Sequence, residues 1–314
     1  MFGRLSSEAW VAVTVVAVVA LMTAQHYPYD ADAPLGQEEI ENAKKYYAEA
    51  YKAAAPGKEE APSEYETKYL AVATRAAKAA DIEGQIKRFA EEYQLRDKGV
   101  LDVGSGRGYL QDIVDNYTGL DISSSVARFY HKKFVQGSAT AMPFPDNSFD
   151  GAWSIWVLEH VPNPEQALLE IRRVMRDGGV VFLNPAWDCT RWAAEGYEVR
   201  PYSDFGLIGK LVKTSIAVRS APLFRTAETV FTRNLRRAAF GMGGPTKFRY
   251  RKIEPNYKEY WQPDSDAVNR LDRYEAMIWF LSRGDECLNC EGALGSVIME
   301  PLPLVIKIHK QRGQ

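Results

Sequence analysis

Cysteine is scarce in this chain: three in 314 residues, at positions 189, 287 and 290. That number builds no disulfide framework of the kind that holds short secreted domains together, so a reducing compartment is the simpler expectation. Histidine is nearly as scarce, and His26, His131, His160 and His309 are too scattered to complete a zinc site with the C-x-x-C pair. Cys287 and Cys290 are therefore expected to be two plain thiols ahead of a redox pair, and no metal is expected. A charge excess is also missing, since the net charge is −2, and with it any global sign of nucleic-acid binding. With 46% hydrophobic and 25% charged residues, the chain can still bury a full-sized core.

Long hydrophobic runs are lacking except at residues 9–24, an uncharged stretch of sixteen flanked by Trp10, Tyr27 and Tyr29. As a helix it spans roughly 24 Å against a hydrocarbon core of ~30 Å, so it can just cross with its ends snorkelling. A cleaved signal peptide fits poorly, with Met22 three residues before a cut after Ala24, and a core helix would show a polar face. Residues 1–29 are thus expected to hold a single-pass membrane anchor. Arg4 votes for an amino terminus in the cytoplasm and an exported domain.

The densest signal lies at residues 99–110. An aliphatic strand ending Leu101, Asp102, Val103 runs into Gly104, Ser105, Gly106, Arg107 and Gly108, and then into a stretch at 109–114 that reads as a helix start. Glycines at every second position let the backbone turn with positive φ and let a ligand lie against it. A phosphate-binding loop is disfavoured because no Lys-Ser/Thr pair follows. A second short strand, 118–121, ends in Asp121, thirteen residues after Gly108, where an acid can accept from both hydroxyls of a ribose. The apolar stretch that reads as the fourth strand begins at Phe149-Asp150 and passes Trp153, Ser154 and Trp156 into Glu159-His160. A helix and a fifth strand, ending at Asn184-Pro185, come next.

In that order these blocks resemble the class I S-adenosylmethionine-dependent methyltransferases, in the branch that includes quinone-biosynthesis enzymes. The resemblance is strong over 98–184 and extends to the apolar residues 304–308 as a last strand. It implies an α/β fold, a doubly wound, mostly parallel seven-stranded sheet of Rossmann-like type, and S-adenosyl-L-methionine as cofactor. Asp102, Gly104, Ser105, Gly106 and Gly108 would hold its methionine end and Asp121 its ribose. The family often has an acid at the adenine after Gly137; here Ser138 stands in that place, leaving Ser138, the Ala139 backbone and apolar packing, with Ser154 completing the expected cofactor set. Because the cofactor is cytosolic, the domain is expected on the cytoplasmic face of the membrane, against the vote of Arg4.

Methyl transfer from a sulfonium needs alignment and dryness first, and a base only when the acceptor is weakly acidic. His160 with Glu159 is the candidate pair, its bland alternative being packing at a helix start. Trp153 and Trp156 are either a wall of the methyl site or simply core.

The chain is expected to divide into the anchor, a linker and helical extension over 30–97, the core over 98–190, a mostly helical insert over 191–295, and closing strands over 296–314. In the extension, helices are expected over 37–54, 63–80 and 82–93, the last capped by Asp81, and their tyrosines are read as packing against the sheet. Asn163-Pro164 starts a helix running to Asp177, and Asp272 caps another over 274–283. Asp264 and Asp266 read as turn and cap residues. Residues 191–252 hold thirteen Lys and Arg against four Asp and Glu, a net +9 in a chain of net −2. Within them Phe224, Ala227, Phe231, Leu235 and Ala238 mark one helical face, and Arg225, Arg233, Arg236 and Arg237 take the others. The bland reading is a packed amphipathic helix with solvated arginines; the sharper one is a surface for anionic lipid. The function expected is membrane-attached methyl transfer to a small or lipid-linked acceptor. A protein or glycan methyltransferase and a non-catalytic cofactor-binding scaffold are the alternatives.

Overall fold

The computed structural model describes residues 6–26, 41–42, 44–47, 64–194, 196–221, 233, 245–256, 264–290 and 302–310. Five parallel strands come first: β1 Gly99–Val103, β2 Asn116–Asp121, β3 Lys133–Gln136, β4 Phe149–Ile155 and β5 Met175–Asn184. A two-stranded ribbon, β6 Arg251–Lys252 with β7 Asn269–Arg270, stands apart from the main sheet. β8 Glu286–Cys287 and β9 Leu304–Lys307 complete a seven-stranded sheet of order β3-β2-β1-β4-β5-β9-β8. β9 is antiparallel to both of its neighbours, β5 and β8. The doubly wound, mostly parallel sheet expected from the sequence is present, with β8 drawn from the stretch expected as insert.

Along the chain the helices are α1 Ser7–His26, α2 Glu64–Ala79, α3 Ile82–Glu92, α4 Pro164–Val174, α5 Leu207–Arg219 and α6 Arg273–Leu281. Strands buried on both faces need cover on both. On one side α3 contributes Ile82, Ile86 and Phe89 to a cluster with Val100, Tyr117, Trp153 and Phe182. On the other, Leu168 and Ile171 of α4 and Ile278 and Phe280 of α6 join Leu101, Val181 and Leu304. Trp153 is thus core.

Two crossovers are shorter than the sequence pattern suggests. Only twelve residues separate β1 from β2, about the least that can leave a sheet and return parallel. The helix expected over 109–114 does not form; Gly108 N donates to Ser105 O, Gln111 N to Gly108 O and Ile113 N to Leu110 O, a chain of three-residue turns. Three positive-φ glycines occupy the start of the connection and leave no length for a continuous four-residue ladder. The next crossover is a 3-10 turn, Ser124–Phe129.

At α4 the Asn163 side chain accepts from Gln166 N at 3.1 Å, as the cap pattern requires, but the helix stops at Val174 rather than Asp177. Met175 already pairs with Phe149, and a bulge follows before Gly151 meets Val180, so residues 175–179 belong to β5. At α3, Asp81 makes no side-chain cap; its φ is +48° and its carboxylate pairs with Arg88. α6 carries the expected cap, Tyr274 N donating to Asp272 Oδ1 at 2.6 Å.

Three expectations are corrected outright. Among the described residues no helix is long and apolar enough to cross a membrane, so the single-pass anchor over 9–24, and with it the membrane location on the cytoplasmic face, is withdrawn. The sixteen-residue uncharged run is too short for the hydrocarbon core, and α1 meets charge at Glu8 immediately before it. Arg233 is not a solvated lipid contact: it is buried and pairs with Asp272 at 3.3 Å. Phe224, Arg225, Ala227, Phe231, Leu235, Arg236, Arg237 and Ala238 lie outside the described residues. Cys287 and Cys290 are not thiols but a disulfide between β8 and the loop after it, leaving buried Cys189 as the free cysteine.

The antiparallel edge is fastened to α4 by one arginine. Arg172 Nε donates to Asp285 Oδ2 at 2.9 Å and its Nη2 donates to His309 O at 2.8 Å, while His309 N donates to Asp285 Oδ1. Burial pushes the Asp285 carboxyl pKa up, with Arg172 opposing the shift. Arg172→Met leaves that carboxyl buried without its cation. We expect a loss of about 3–5 kcal/mol, read as a lower urea midpoint with an unchanged m-value.

Candidate functional site

The chain moves outward through β1, β2 and β3, then jumps back to β4 on the other side of β1, so the winding reverses between β1 and β4. Ligands of open α/β sheets sit outside the carboxyl ends of the strands at such a reversal. The glycine turn, Asp121 and the Glu159–His160 segment all follow strands that end there.

Leaving β1, Gly104 has φ +74°, and a Cβ on it would run into the side chain of Val157 just past β4. Gly104 N and Ser105 N both donate to Leu120 O, which ties the turn to β2. Gly106 N donates to Asp121 Oδ2 at 2.9 Å and Ser123 N to Asp121 Oδ1 at 2.8 Å. Tyr130 covers the loop from outside: its hydroxyl donates to Gly106 O at 2.9 Å and lies 2.7 Å from Ser105 Oγ, and its ring occupies the space that Cβ atoms on Gly108 and Gly119 would need.

Two buried carboxyls line this end. Burial pushes the Asp102 pKa up to about 7, with the Trp153 indole and the Tyr117 hydroxyl, 2.8 Å away, drawing it back down. Burial raises Asp121 as well, against the amides of Ser123 and Gly106. Ser154 Oγ, on β4 between Val103 and Leu183, is buried without a hydrogen-bond partner among the described residues. This donor set fits S-adenosylmethionine: acceptors for an ammonium and a ribose diol, and negative charge near a sulfonium. Each Asp121 oxygen keeps a lone pair beyond the amide it accepts. Ser138 is committed locally, its Oγ accepting from Thr140 N and lying 2.8 Å from Thr140 Oγ1, while Ala139 packs on the core.

The second half begins one residue beyond Val157, in the 3-10 turn Leu158–His160. Glu159 is fully buried; its Oε1 accepts from Ala186 N, just past β5, at 3.0 Å, and its Oε2 has no hydrogen-bond partner among the described residues. Val268 N donates to Glu159 O and Asn269 Nδ2 to Val161 O, which locks the segment before α6 onto the turn. The His160 ring lies between two acids, with Nε2 3.7 Å from Glu159 Oε1 and Nδ1 3.7 Å from Asp266 Oδ2 and 3.2 Å from Asp266 O. Tyr47, from the amino-terminal extension, places its ring edge-on to His160 and donates its hydroxyl to Asp266 Oδ2 at 3.1 Å.

Burial drives Glu159 up to about 7, with His160 and the Ala186 amide opposing. For His160 burial is the largest influence and lowers the pKa, but Asp266, Glu159 and Asp264 together outweigh it and hold the ring above its usual 6.5. Burial also raises Asp264. Cys189 is held as a thiol by burial and the surrounding acids, donating to Ala186 O.

The structure therefore gathers Asp102, Gly104, Ser105, Gly106, Gly108, Asp121 and Ser154 at one end and Glu159 and His160 at the other, joined through Val157. The sequence had put Asp266 and Asp264 down as turn formers and Tyr47 as sheet packing. The one signal available for the two acids was their spacing, two aspartates in three residues, beyond the end of the basic stretch. Nothing marked Tyr130 or Tyr117.

The methyltransferase domain family matches residues 101–183. A sterol 24-C-methyltransferase of Gibberella zeae is 41% identical over 97 residues, 26% of this chain and 26% of that protein. A fatty-acid O-methyltransferase of Mycolicibacterium smegmatis is 33% identical over 119 residues, 33% of this chain and 43% of its own. A ubiquinone/menaquinone biosynthesis C-methyltransferase of Hahella chejuensis is 32% identical over 132 residues, 36% and 53%. The match thus spans about half or less of these relatives. A putative methyltransferase of Bacillus halodurans, known as a crystal structure, aligns at 17% identity over 61% of this chain and 64% of that one with a TM-score of 0.36. The strand order, the glycine turn with its two acids and the family match agree over one segment: residues 101–183 form a domain of the class I S-adenosylmethionine-dependent methyltransferase type.

Proposed function

We propose that this protein transfers a methyl group from S-adenosylmethionine to a small, largely apolar or lipid-linked acceptor whose reacting oxygen or carbon gives up its proton to His160. The observation that carries this reading is the buried Glu159–His160 pair that begins two residues after the valine that packs on the cofactor loop. Sterols, a fatty acid and quinone biosynthesis appear in the relatives' names, all pointing to apolar acceptors with few reactive positions.

When bound, the cofactor supplies an electrophilic methyl group on a sulfonium. On this reading Asp102 pairs with its ammonium, Asp121 accepts from the ribose hydroxyls, and the glycine turn lets the backbone approach. Ser138, Ala139 and Ser154 remain candidates for the adenine end and the mouth. His160 Nε2 takes the acceptor's proton, and Glu159, buried beside it, offsets the charge that the imidazolium gains. The apolar walls exclude water, which strengthens both interactions.

Two outcomes test the cofactor half. Asp121→Ala should weaken S-adenosylmethionine binding by roughly 1.5–3 kcal/mol, the value of hydrogen bonds to a charged acceptor, as measured by calorimetry. Because Asp102 is held near 7 and only its carboxylate can pair with an ammonium, affinity should rise from pH 6 to pH 8 with uptake of cofactor releasing a proton. Asp102→Asn should bind more weakly and lose this pH dependence; equal affinity for NAD would end the assignment.

The acceptor half is tested by metabolite profiling of a deletion strain for a species lighter by one methyl group, followed by kinetics on that species. His160→Asn should lower kcat by ~10²–10⁴-fold with cofactor affinity nearly unchanged. Since the ring must be neutral to act and its pKa lies above 6.5, the wild-type rate should fall as pH drops through that pKa.

A further inference from the structure

Four groups from three separate parts of the chain face the His160 ring. Glu159 comes from its own turn, Asp264 and Asp266 from the segment before α6, and Tyr47 from the amino-terminal extension. Among the described residues only Asp266 reaches Nδ1, and it does so twice. Its main-chain carbonyl oxygen lies 3.2 Å away and a carboxylate oxygen 3.7 Å away. A carbonyl oxygen can only accept, so in the neutral ring Nδ1 carries the hydrogen and Nε2 keeps the lone pair. Nε2 is the nitrogen on the side of Glu159.

Asp266 is itself held. The Tyr47 hydroxyl donates to Asp266 Oδ2, the same oxygen that faces Nδ1. The backbone on either side is pinned too: Val268 N donates to Glu159 O, and Ala267 N to Asp264 O. The Tyr47 ring stands edge-on to the imidazole, which restricts its rotation from the open side. The two contacting residues are 219 positions apart, so this clamp closes the acceptor wall with a piece of chain that lies outside the cofactor-binding core.

We propose that Asp266, tethered by Tyr47, is the positioning residue of His160: it fixes the Nδ1–H tautomer and holds its carboxylate against the ring, leaving Nε2 to exchange a proton with the acceptor. This rests on the reading of His160 as the base, and it adds that the amino-terminal extension is part of the acceptor site. The chemistry balances simply. The acceptor's proton goes to Nε2, and the electron pair it leaves forms the new bond to the methyl carbon as that carbon's bond to the sulfonium sulfur breaks, the sulfur keeping that pair in the departing neutral thioether; the cationic ring so formed sits between the carboxyl groups of Asp266 and Glu159.

The test needs no acceptor. Full-length protein labelled with 15N, saturated with S-adenosylhomocysteine, is examined by two-bond 15N–1H NMR of its imidazoles, with His160 assigned by its loss in His160→Asn. The wild type should show the Nδ1–H pattern at high pH. Asp266→Asn keeps the main-chain carbonyl and removes the charge, so the tautomer should persist while the His160 pKa falls by about one unit or more. Tyr47→Phe removes one oxygen, frees the carboxylate to turn away, and should lower that pKa by a smaller amount. An Nε2–H tautomer in the wild type, or a His160 pKa unmoved by both substitutions, overturns the proposal. A failed base assignment looks different: His160→Asn would keep full turnover while the tautomer and the shifts stood as described.

Discussion

At the centre of the sheet β1 and β4 end side by side, and the gap between those ends depends on one missing carbon. Gly104 turns with φ +74°, and a Cβ there would occupy the space of the Val157 side chain. Val157 in turn leads directly into the turn that carries Glu159 and His160. With any other residue at 104 the backbone would meet both left-handed strain and a clash, and the loop that presents Asp102 and Asp121 would move away from the turn that presents His160. The two halves of the site share a wall because a glycine permits it.

Burial sets the chemistry on both sides of that wall. Asp102, Asp121 and Glu159 are carboxyls that water barely reaches, and each is pushed upward for that reason. Such groups cost stability unless something arrives to satisfy them. Backbone amides do part of this work, from Gly106 and Ser123 at Asp121 and from Ala186 at Glu159. Among the described residues Glu159 Oε2 is left without a hydrogen-bond partner, as is the Ser154 hydroxyl beside the turn.

The cofactor half was legible because its cause is local. Strand, positive-φ glycines and strand-end acids follow one another within about two dozen residues, and each leaves its own mark on composition. The acceptor half depends on contacts across long separations, as between Tyr47 and Asp266, and no window along the chain contains them. Short-range patterns also failed where length overruled them. Residues 109–114 have helical periodicity, yet a twelve-residue crossover that begins with three glycines has no room for a helix. Residues 9–24 are apolar enough for a membrane but too few, and the arginine at 233 looked solvated until Asp272, 39 residues on, was brought beside it.

The contact between Tyr47 and Asp266 also bears on the order in which the molecule assembles. Closing a flexible loop of 219 residues costs on the order of 5 kcal/mol in chain entropy, and one hydrogen bond recovers only about 1 kcal/mol. The clamp can therefore close only after the sheet between its ends has formed and shortened the effective loop. During synthesis Tyr47 leaves the ribosome long before Asp266 is made, whereas β1 to β5 can already pair. A nascent chain would thus complete the glycine turn and its two acids early and the packing around His160 last.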